Sequence, residues 1–244
     1  MELDLLVFGP HPDDAEIGLG GTIARHASQG YAVGICDLTR GELSSNGTVG
    51  ERLAEAEAAR EVLGATARDN LGWPDGGIGQ TAAHVQEAVE VIRRRRPRTI
   101  AIPYWDDRHP DHGASAAVLS TAAFRSGLRR YAAAGEPWRA DWVCYYFIND
   151  SAPPSFVIDV SEWYEKKRAA LACHRTQFQT DAPGAVPTRL TSPRFRQLIE
   201  SRDAQFGALA GVAFAEGLIV KEPILRPHAM KDWLAQPVRA GGPR

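Results

Sequence analysis

Residues 3–16 read LDLLVFGPHPDDAE, an apolar, strand-like run that passes directly into a group of ionisable side chains. Pro12 biases His11 toward an extended backbone, so the imidazole stands where the strand finishes. Asp13 and Asp14 come at the start of the helical pattern that follows, where a helix N-terminus favours carboxylates. One aspartate would serve as a cap, but two beside a histidine exceed that need and indicate a site.

A second His-Pro-Asp sequence occurs in the same setting further along the chain. HPDH at residues 109–112 follows the strand-like run 98–103 and precedes an alanine-rich helical run. Three of the seven histidines lie in these two loops. In a parallel α/β sheet both loops leave the carboxyl ends of strands, where such folds place their ligands. We therefore expect the two loops to meet.

The rest of the chain alternates strand and helix patterns. Through residue 103 the order is β-α-β-α-β-α-β, which specifies a parallel sheet covered by helices. We predict one α/β domain with a mostly parallel sheet over residues 1–222 and an extended tail over 223–244. After the first strand, the predicted strands cover 31–38, 69–71, 98–103, 142–148, 156–160 and 214–220, and the predicted helices cover 17–29, 51–63, 82–95, 114–134, 161–173 and a segment from 193.

Composition excludes several classes of protein. A hydrophobic fraction of 44% with 24% charged residues is ordinary for a globular domain, and a formal net charge of −2 gives no electrostatic reason to bind nucleic acid. No basic region precedes the first apolar run, and no stretch approaches membrane-spanning length. We therefore expect a cytoplasmic protein with neither nucleic-acid nor membrane partners. Three isolated cysteines without C-x-x-C spacing predict reduced thiols.

The two loops together supply the donor set of a zinc site. His11, Asp14 and His112 offer two imidazoles and one carboxylate, and three protein ligands leave a coordination position for water. A metal ion there would polarise a carbonyl and lower the pKa of the bound water to about 7, making it a nucleophile. Asp13, next to a ligand but pointing elsewhere, is placed to take the water's proton as general base. The pattern therefore predicts metal-dependent hydrolysis.

Residues of the second loop that have no coordinating duty are candidates for the remaining chemistry. His109, one helical turn before His112, could stabilise an oxyanion or protonate a leaving amine. Asp111 or Asp107 could orient the His109 imidazole from outside the site. We therefore expect one histidine of this loop to bind metal and the other to act on substrate.

The two loops resemble those of the zinc-dependent sugar de-N-acetylases of the LmbE-like or PIG-L family. The resemblance covers most of the chain except the tail. It extends through TRGE at 39–42, ERLAE at 51–55, LGWPDG at 71–76, HRTQF at 174–178, FG at 206–207 and AEG at 215–217. It implies a Rossmann-like, three-layer fold and a homo-oligomer, with the trimer as candidate building unit.

The resemblance also implies roles for individual positions. It places one zinc ion per chain on His11, Asp14 and His112, and it gives Asp13 the role of base. It further implies that His109 and Arg52 contact substrate or transition state. The substrate class that it implies is an N-acetylated amino sugar, from which the enzyme removes acetate.

Within that family, YWDDRH at 104–109 and the turn 70–78 resemble the bacillithiol-biosynthesis branch, which deacetylates N-acetylglucosaminyl-malate. A malate group carries two carboxylates, with which Arg52, Arg108 or Arg40 could pair bidentately. Relatives that hydrolyse other N-acetylglucosaminides or thiol conjugates share the metal loops, so those substrates stay alternatives.

Two other functions fit parts of the pattern. GLGG at 18–21 follows a strand and Asp37 closes the next one, a spacing that a dinucleotide-binding oxidoreductase requires. However, the glycines come too late, and Asp13, Asp14 and Glu16 occupy the turn where a pyrophosphate would lie and would repel it. A non-haem Fe(II) oxygenase also uses two histidines and a carboxylate, but a parallel α/β sheet is the wrong scaffold for it.

Overall fold

The computed structural model describes residues 1–180 and 184–225; most of the predicted tail, residues 226–244, lies outside the described residues. Seven strands form one sheet with helices on both faces. The strands are β1 (Leu5–Gly9), β2 (Val33–Thr39), β3 (Ala67–Trp73), β4 (Thr99–Pro103), β5 (Trp142–Tyr146), β6 (Phe156–Asp159) and β7 (Ala215–Ile219). The helices are α1 (Asp14–Ser28), α2 (Val49–Leu63), α3 (Ala82–Arg95), α4 (Pro110–Ser126), α5 (Tyr164–Cys173), α6 (Arg175–Phe178) and α7 (Pro193–Ala210), with a 3-10 turn at Ser161–Trp163.

The strand order across the sheet is β3-β2-β1-β4-β5-β7-β6. β1 pairs in parallel with β2 on one side and with β4 on the other, and β7 runs antiparallel to both of its neighbours. The predicted α/β fold with a mostly parallel sheet is therefore confirmed. Because the chain turns in opposite directions after β1 and β4, their carboxyl ends form the crevice in which such sheets bind ligands.

Both faces of the first strand are buried, which explains its uninterrupted apolar run. Leu5 and Val7 belong to the core beneath α1, α2 and α5, whereas Leu6 and Phe8 belong to the core beneath α3 and α4. The fold therefore has three layers: the sheet and one layer of helices on each of its faces. No helix among the described residues has the length and apolar character that a bilayer crossing requires.

The glycines of the GLGG stretch are required by close packing. A Cβ atom on Gly18 would overlap the Tyr146 ring, and one on Gly21 would lie 2.7 Å from the Val160 side chain. Tyr146 in turn donates its hydroxyl hydrogen to the Phe8 carbonyl at 2.7 Å. Because this ring lies against Gly18, α1 packs closely on the middle of the sheet. This packing accounts for the glycine pattern that suggested a dinucleotide site.

Local signals place several helix ends where the sequence predicts them. Thr48 and Glu51 form a capping box at the start of α2, and Gly64 ends that helix in the left-handed conformation. α3 has the predicted bounds, and the Ser192 hydroxyl caps α7. Ser161, predicted as the cap of a helix over 161–173, instead bonds Asp159 and lies within the 3-10 turn before α5.

Several helices differ from their predicted bounds. α2 begins at Val49 and α4 begins at Pro110, before their predicted starts at 51 and 114. α1 begins at Asp14, three residues before the predicted start, and α4 ends at Ser126, although helical spacing predicts it to Ala134. The early end coincides with a tertiary contact, because the buried Arg93 guanidinium donates to the carbonyls of Ser126 and Leu128, which a helix to Ala134 would pair with its own N–H groups.

Candidate active site

The loops that follow β1 and β4 meet at the crevice of the sheet, as the sequence predicts. The ring centroids of His11 and His112 lie 5.7 Å apart, and those of His11 and His109 lie 4.9 Å apart. Asp14 Oδ2 lies between the first two rings, 3.0 Å from His11 Nδ1 and 3.4 Å from His112 Nε2. Two loops that are distant in sequence therefore present donor atoms to one point.

The three predicted ligands fit a divalent cation. The donor atoms of His11, Asp14 and His112 lie within 4.8 Å of one another, and all three residues are buried. Two imidazoles with one carboxylate are a donor set that zinc accepts, and a set of three leaves room for water or substrate. A second group, His11 with His109 and Asp111, also has donor atoms within 4.8 Å of one another.

Carboxylates outside this group orient the two ligand rings. Asp107 Oδ1 lies 2.9 Å from His112 Nδ1, which leaves Nε2 of that ring for a metal. On the other ring, His11 Nε2 faces Asp111 Oδ2 at 3.2 Å and Asp75 Oδ1 at 3.1 Å, which leaves Nδ1. Both rings therefore have one nitrogen held by carboxylate and the other nitrogen turned toward Asp14.

The carboxylates of Asp107 and Asp111, which the sequence predicts to orient His109, instead contact the rings of His112 and His11. Asp107 contacts His109 through the backbone N–H of that residue and does not contact its ring, and Asp111 contacts the His109 ring through its own backbone N–H. Asp75 has no role predicted from sequence; it lies in the turn after β3, two strands away from β1 in the sheet. Its position after the carboxyl end of a parallel strand was the available signal, but the strand order was needed to use it.

Ionisation at the ligand residues follows from their mutual contacts. Burial lowers the pKa of His112, but the carboxylates of Asp14 and Asp107 raise it more, to about 9. Burial raises the pKa of Asp14, but the charges of His112 and His11 bring it well below its ordinary value. Since imidazole must be neutral to bind a metal, a cation that binds here must displace a proton from His112.

Asp13, the predicted base, lies beside the ligands without contributing to the ligand group. It is 3% exposed and has φ 153° and ψ −23°, an uncommon backbone conformation for a residue with a side chain. Its carboxylate makes no helix-cap bond but accepts a hydrogen bond from Arg52 Nη2 at 3.2 Å. Burial raises the pKa of Asp13 to about 6, although the Arg52 charge lowers it.

Arg52 reaches this site from the first turn of α2. It is buried, and its guanidinium donates to the Pro12 carbonyl at 2.9 Å and to the Gly41 carbonyl at 3.2 Å, besides Asp13. The structure therefore brings Arg52 to the site, as the resemblance implies, and gives its two Nη groups protein partners, whereas Nε has none among the described residues. A contact with substrate stays a prediction for this residue.

His109 is the exposed histidine of the second loop and the N-cap of α4. Its Nδ1 accepts the Asp111 N–H at 3.3 Å, so the proton of the neutral ring lies on Nε2. Burial and the charges of His112 and His11 lower the pKa of His109. At neutral pH the ring is therefore neutral, with one N–H to donate.

An open cavity of about 530 Å³ exposes this site. Arg108 and Arg189 both line the cavity, and both are exposed. Arg108 is one of the arginines that the sequence predicts for substrate binding; Arg189 was not identified from sequence, since its loop carries no motif. Arg40, the remaining candidate, is not among the lining residues and lies beside Gly72. Other lining residues without a predicted role are Ser44, Asn149, Gln177 and Thr188.

Comparison with known proteins places these features in context. Residues 6–123 match the family model described as PIG-L: GlcNAc-PI de-N-acetylase. The chain is 29% identical to diacetylchitobiose deacetylase of Thermococcus kodakarensis, over 88% of this chain and 81% of that protein. It is 30% identical to 1D-myo-inositol 2-acetamido-2-deoxy-alpha-D-glucopyranoside deacetylase of Rhodococcus erythropolis, over 75% and 70% of the two chains.

A solved structure is similar over nearly the whole chain. The conserved protein TT1542 from Thermus thermophilus superimposes with a TM-score of 0.86 at 36% identity, covering 96% of this chain and all of that one. The two loops that carry His11 and His112 lie within the part of the chain that the family model matches.

Proposed function

Because the chain belongs to the PIG-L, or LmbE-like, family, we propose that it is a metal-dependent de-N-acetylase, an amide hydrolase that removes acetate from an N-acetylglucosaminyl conjugate. The observation that carries the proposal is the convergence of His11, Asp14 and His112 beside the uncoordinated, buried carboxylate of Asp13. Amide hydrolysis needs an activated water, a base for its proton and a donor for the leaving amine, and this crevice offers candidates for each.

One zinc ion per chain is the proposed cofactor, held by His11, Asp14 and His112. Bound there, a divalent cation supplies a Lewis acid that polarises the amide carbonyl and lowers the pKa of water. The contribution of the chain itself is to hold the two imidazoles in the correct tautomer, through Asp107 on one ring and through Asp75 and Asp111 on the other.

Asp13 is the proposed general base. Its carboxylate lines the cavity, and its pKa of about 6 leaves it ionised and able to accept a proton at neutral pH. The proton removed from water is accepted on a carboxylate oxygen of Asp13, and from there it can pass to the nitrogen of the leaving amine. Arg52 keeps this carboxylate beside the ligands.

His109 is the proposed donor to the reacting amide. With Nδ1 held by the Asp111 N–H, the ring offers the hydrogen on Nε2 to the carbonyl oxygen, where negative charge develops. His109 stacks on His112 with ring centroids 4.7 Å apart, which keeps the imidazole over the ligand group. The same N–H is placed to assist departure of the amine.

For the aglycone we propose an anionic group, with N-acetylglucosaminyl-malate as the substrate. Two exposed arginines, Arg108 and Arg189, line the cavity, and guanidinium groups bind carboxylates through paired hydrogen bonds. A neutral aglycone is the alternative, since the curated relatives are named for a chitobiose and for an inositol glycoside. The homo-oligomer and the cytoplasmic location stay predictions.

Acetate release from four compounds tests this function. We expect zinc-loaded protein to hydrolyse N-acetylglucosaminyl-malate with a kcat/KM at least ten times higher than for N-acetylglucosaminyl-inositol, diacetylchitobiose or free N-acetylglucosamine, a difference of about 1.4 kcal/mol. A preference for one of the neutral glycosides would move the assignment to that substrate. No acetate from any of the four would contradict the deacetylase function itself.

A further inference from the structure

Arg52 makes all of its hydrogen bonds to the two loops that flank the site. Nη2 donates to the Pro12 carbonyl at 2.9 Å and to Asp13 Oδ2 at 3.2 Å, and Nη1 donates to the Gly41 carbonyl at 3.2 Å. The side chain is 4% exposed. The planar guanidinium can bind several acceptors at fixed angles, which an ammonium group cannot do.

The contact with Asp13 falls on the least regular backbone of the site. Asp13 has φ 153°, a value in the region that side chains rarely adopt, and among the described residues only Arg96 is a further non-glycine residue with positive φ. Such conformations persist where surrounding contacts hold them. The Pro12 carbonyl belongs to the peptide that enters Asp13, so Arg52 Nη2 bonds both that peptide and the carboxylate at its end.

The loop on the other side of the guanidinium is shaped around it. Gly41 has φ +66°, and a Cβ atom at this position would overlap Arg52 Nη1. A glycine is therefore needed here both for the backbone conformation and for the room that the guanidinium takes. The TRGE motif at 39–42 and Arg52 thus form one packed unit with the first metal loop.

We propose that Arg52 is a positioning residue for Asp13, which holds the peptide and carboxylate of the base. The inference rests on the proposed function, in which Asp13 takes the proton of water. It gives Arg52 a role beside the substrate contact that the family resemblance implies. The contacts with Pro12, Asp13 and Gly41 use three of the five N–H donors of the guanidinium, and two of the three lie on the base and the peptide that enters it.

The test separates effects on kcat from effects on KM. Arg52→Met removes the guanidinium, Arg52→Lys keeps the charge but cannot bridge the three acceptors, and Gly41→Ala displaces the guanidinium without removing it. Arg60→Met is the matched control, because Arg60 lies on the same helix and bonds Glu57 and the Ala65 carbonyl. Each variant is zinc-loaded, checked for metal content and thermal unfolding, and assayed on the substrate that wild type hydrolyses best.

We expect Arg52→Met to lower kcat by about 10- to 100-fold with KM changed less than threefold, since a displacement of about 1 Å at a reacting group can cost 100-fold. Arg52→Lys should recover part of kcat, Gly41→Ala should also lower kcat, and Arg60→Met should leave both constants unchanged. Should Gly41→Ala fail to fold, the two Arg52 variants decide the result.

Two results would overturn the proposal. One is a KM that rises by a larger factor than kcat falls, which would assign Arg52 to substrate binding. The other is loss of zinc from the Arg52 variants, which would mean that the residue acts on the ligands. If wild type releases no acetate from any N-acetylglucosaminide, the proposed function fails instead, and that result is reached before any variant is compared.

Discussion

His112 Nδ1 lies 2.9 Å from Asp107 Oδ1, and this contact turns the opposite nitrogen, Nε2, toward Asp14. Asp107 is fixed in turn, because it accepts the Asn149 backbone N–H at 2.9 Å and the Asn149 side-chain amide at 3.0 Å. A ligand ring that is oriented in this way before metal arrives loses little freedom on binding.

Asp107→Ala should therefore weaken zinc binding although Asp107 is not a ligand. We expect an affinity about 10- to 100-fold lower, because the His112 ring loses the contact that fixes its tautomer and orientation. Competition with a chelator measures this affinity. Asp106→Ala, at an exposed neighbouring position, is the control that should bind zinc as wild type does. Equal affinities for the two variants would show that Asp107 does not orient the ring.

Asp13→Asn should separate metal binding from catalysis. The amide keeps the size of the side chain but cannot accept the proton of water, so we expect full zinc content and a kcat lower by about 10²- to 10⁴-fold. His112→Ala is the contrasting variant and should lose the metal. Metal analysis with a kinetic assay gives both results, and near-normal turnover of Asp13→Asn would remove this residue from the mechanism.

Arg68 forms ion pairs with two buried carboxylates, those of Glu16 on α1 and Asp37 on β2. Its Nε lies 2.7 Å from Asp37 Oδ2, and its Nη1 bonds Glu16 Oε1. Burial raises the pKa of Glu16, but Arg68 brings it well below its ordinary value; burial raises the pKa of Asp37 to about 6 despite the same guanidinium. Ionised Glu16 therefore stabilises the fold above its unfolded pKa of about 4.3, and this stabilisation is lost in acid. Asp37 has the opposite dependence: its protonated form stabilises the fold, and this stabilisation is lost as pH rises through 6.

Arg68→Met should reverse the effect of pH on this cluster. Without the guanidinium both carboxyls have raised pKa values, so ionisation of each opposes folding. We expect the free energy of unfolding to fall by about 3–5 kcal/mol at pH 8 and by less at pH 5, measured in urea. Arg95→Met, which breaks a partly exposed pair with Asp69, should cost at most about 1 kcal/mol. Equal losses in the free energy of unfolding of Arg68→Met at pH 8 and pH 5 would contradict this role of Arg68 in keeping the two carboxyls ionised.

A buried ionic group, formed by Lys167, Asp203 and Glu216, contacts α1 at its bend. Lys167 Nζ lies 2.7 Å from both Asp203 Oδ2 and Glu216 Oε1, and the Glu216 carboxylate accepts the backbone N–H groups of Gly21 and Thr22. The helix is non-helical at Leu19, just before those two N–H groups. The carboxylate therefore satisfies donors that the bend releases.

Lys167→Met should destabilise the fold strongly, because it leaves the buried Glu216 carboxylate without a cation and leaves Asp203 with Arg202 alone. We expect a loss of about 3–5 kcal/mol in the free energy of unfolding at neutral pH. Lys166→Met changes an exposed neighbour on the same helix and should cost less than about 0.5 kcal/mol. Chemical denaturation of the two variants measures the difference, and similar values would rule out a stabilising role for this ionic group.

Gly18→Ala tests the packing explanation of the GLGG stretch. The added methyl group would overlap the Tyr146 ring, so we expect a destabilisation of about 1–3 kcal/mol. Gly50→Ala, where a Cβ atom would have no close neighbour, is the control. Thermal unfolding measures both, and titration with nicotinamide dinucleotides should show no binding to wild type. A stable Gly18→Ala protein would mean that the glycine has another function.

Elements with strong local signals could be predicted from sequence, and those that depend on remote contacts could not. The bounds of α3 and the hydroxyl cap of α7 depend on residues within one helical turn, so they can be predicted directly. The early end of α4 depends on Arg93, which lies on a different helix. The role of Asp75 depends on a turn that reaches His11 from two strands away.

The sequence alone was enough to determine the α/β class with its mostly parallel sheet and to predict which residues could bind a metal, because periodicity and donor chemistry are properties of short segments. Only the tertiary structure decided which of these residues act together. The pairing of β1 with β4 brings His11 close to His112, and the packing of α2 against the first loop places the Arg52 guanidinium beside the Asp13 carboxylate. Such contacts follow from strand order and helix docking, which the burial of the whole core selects and no single segment encodes.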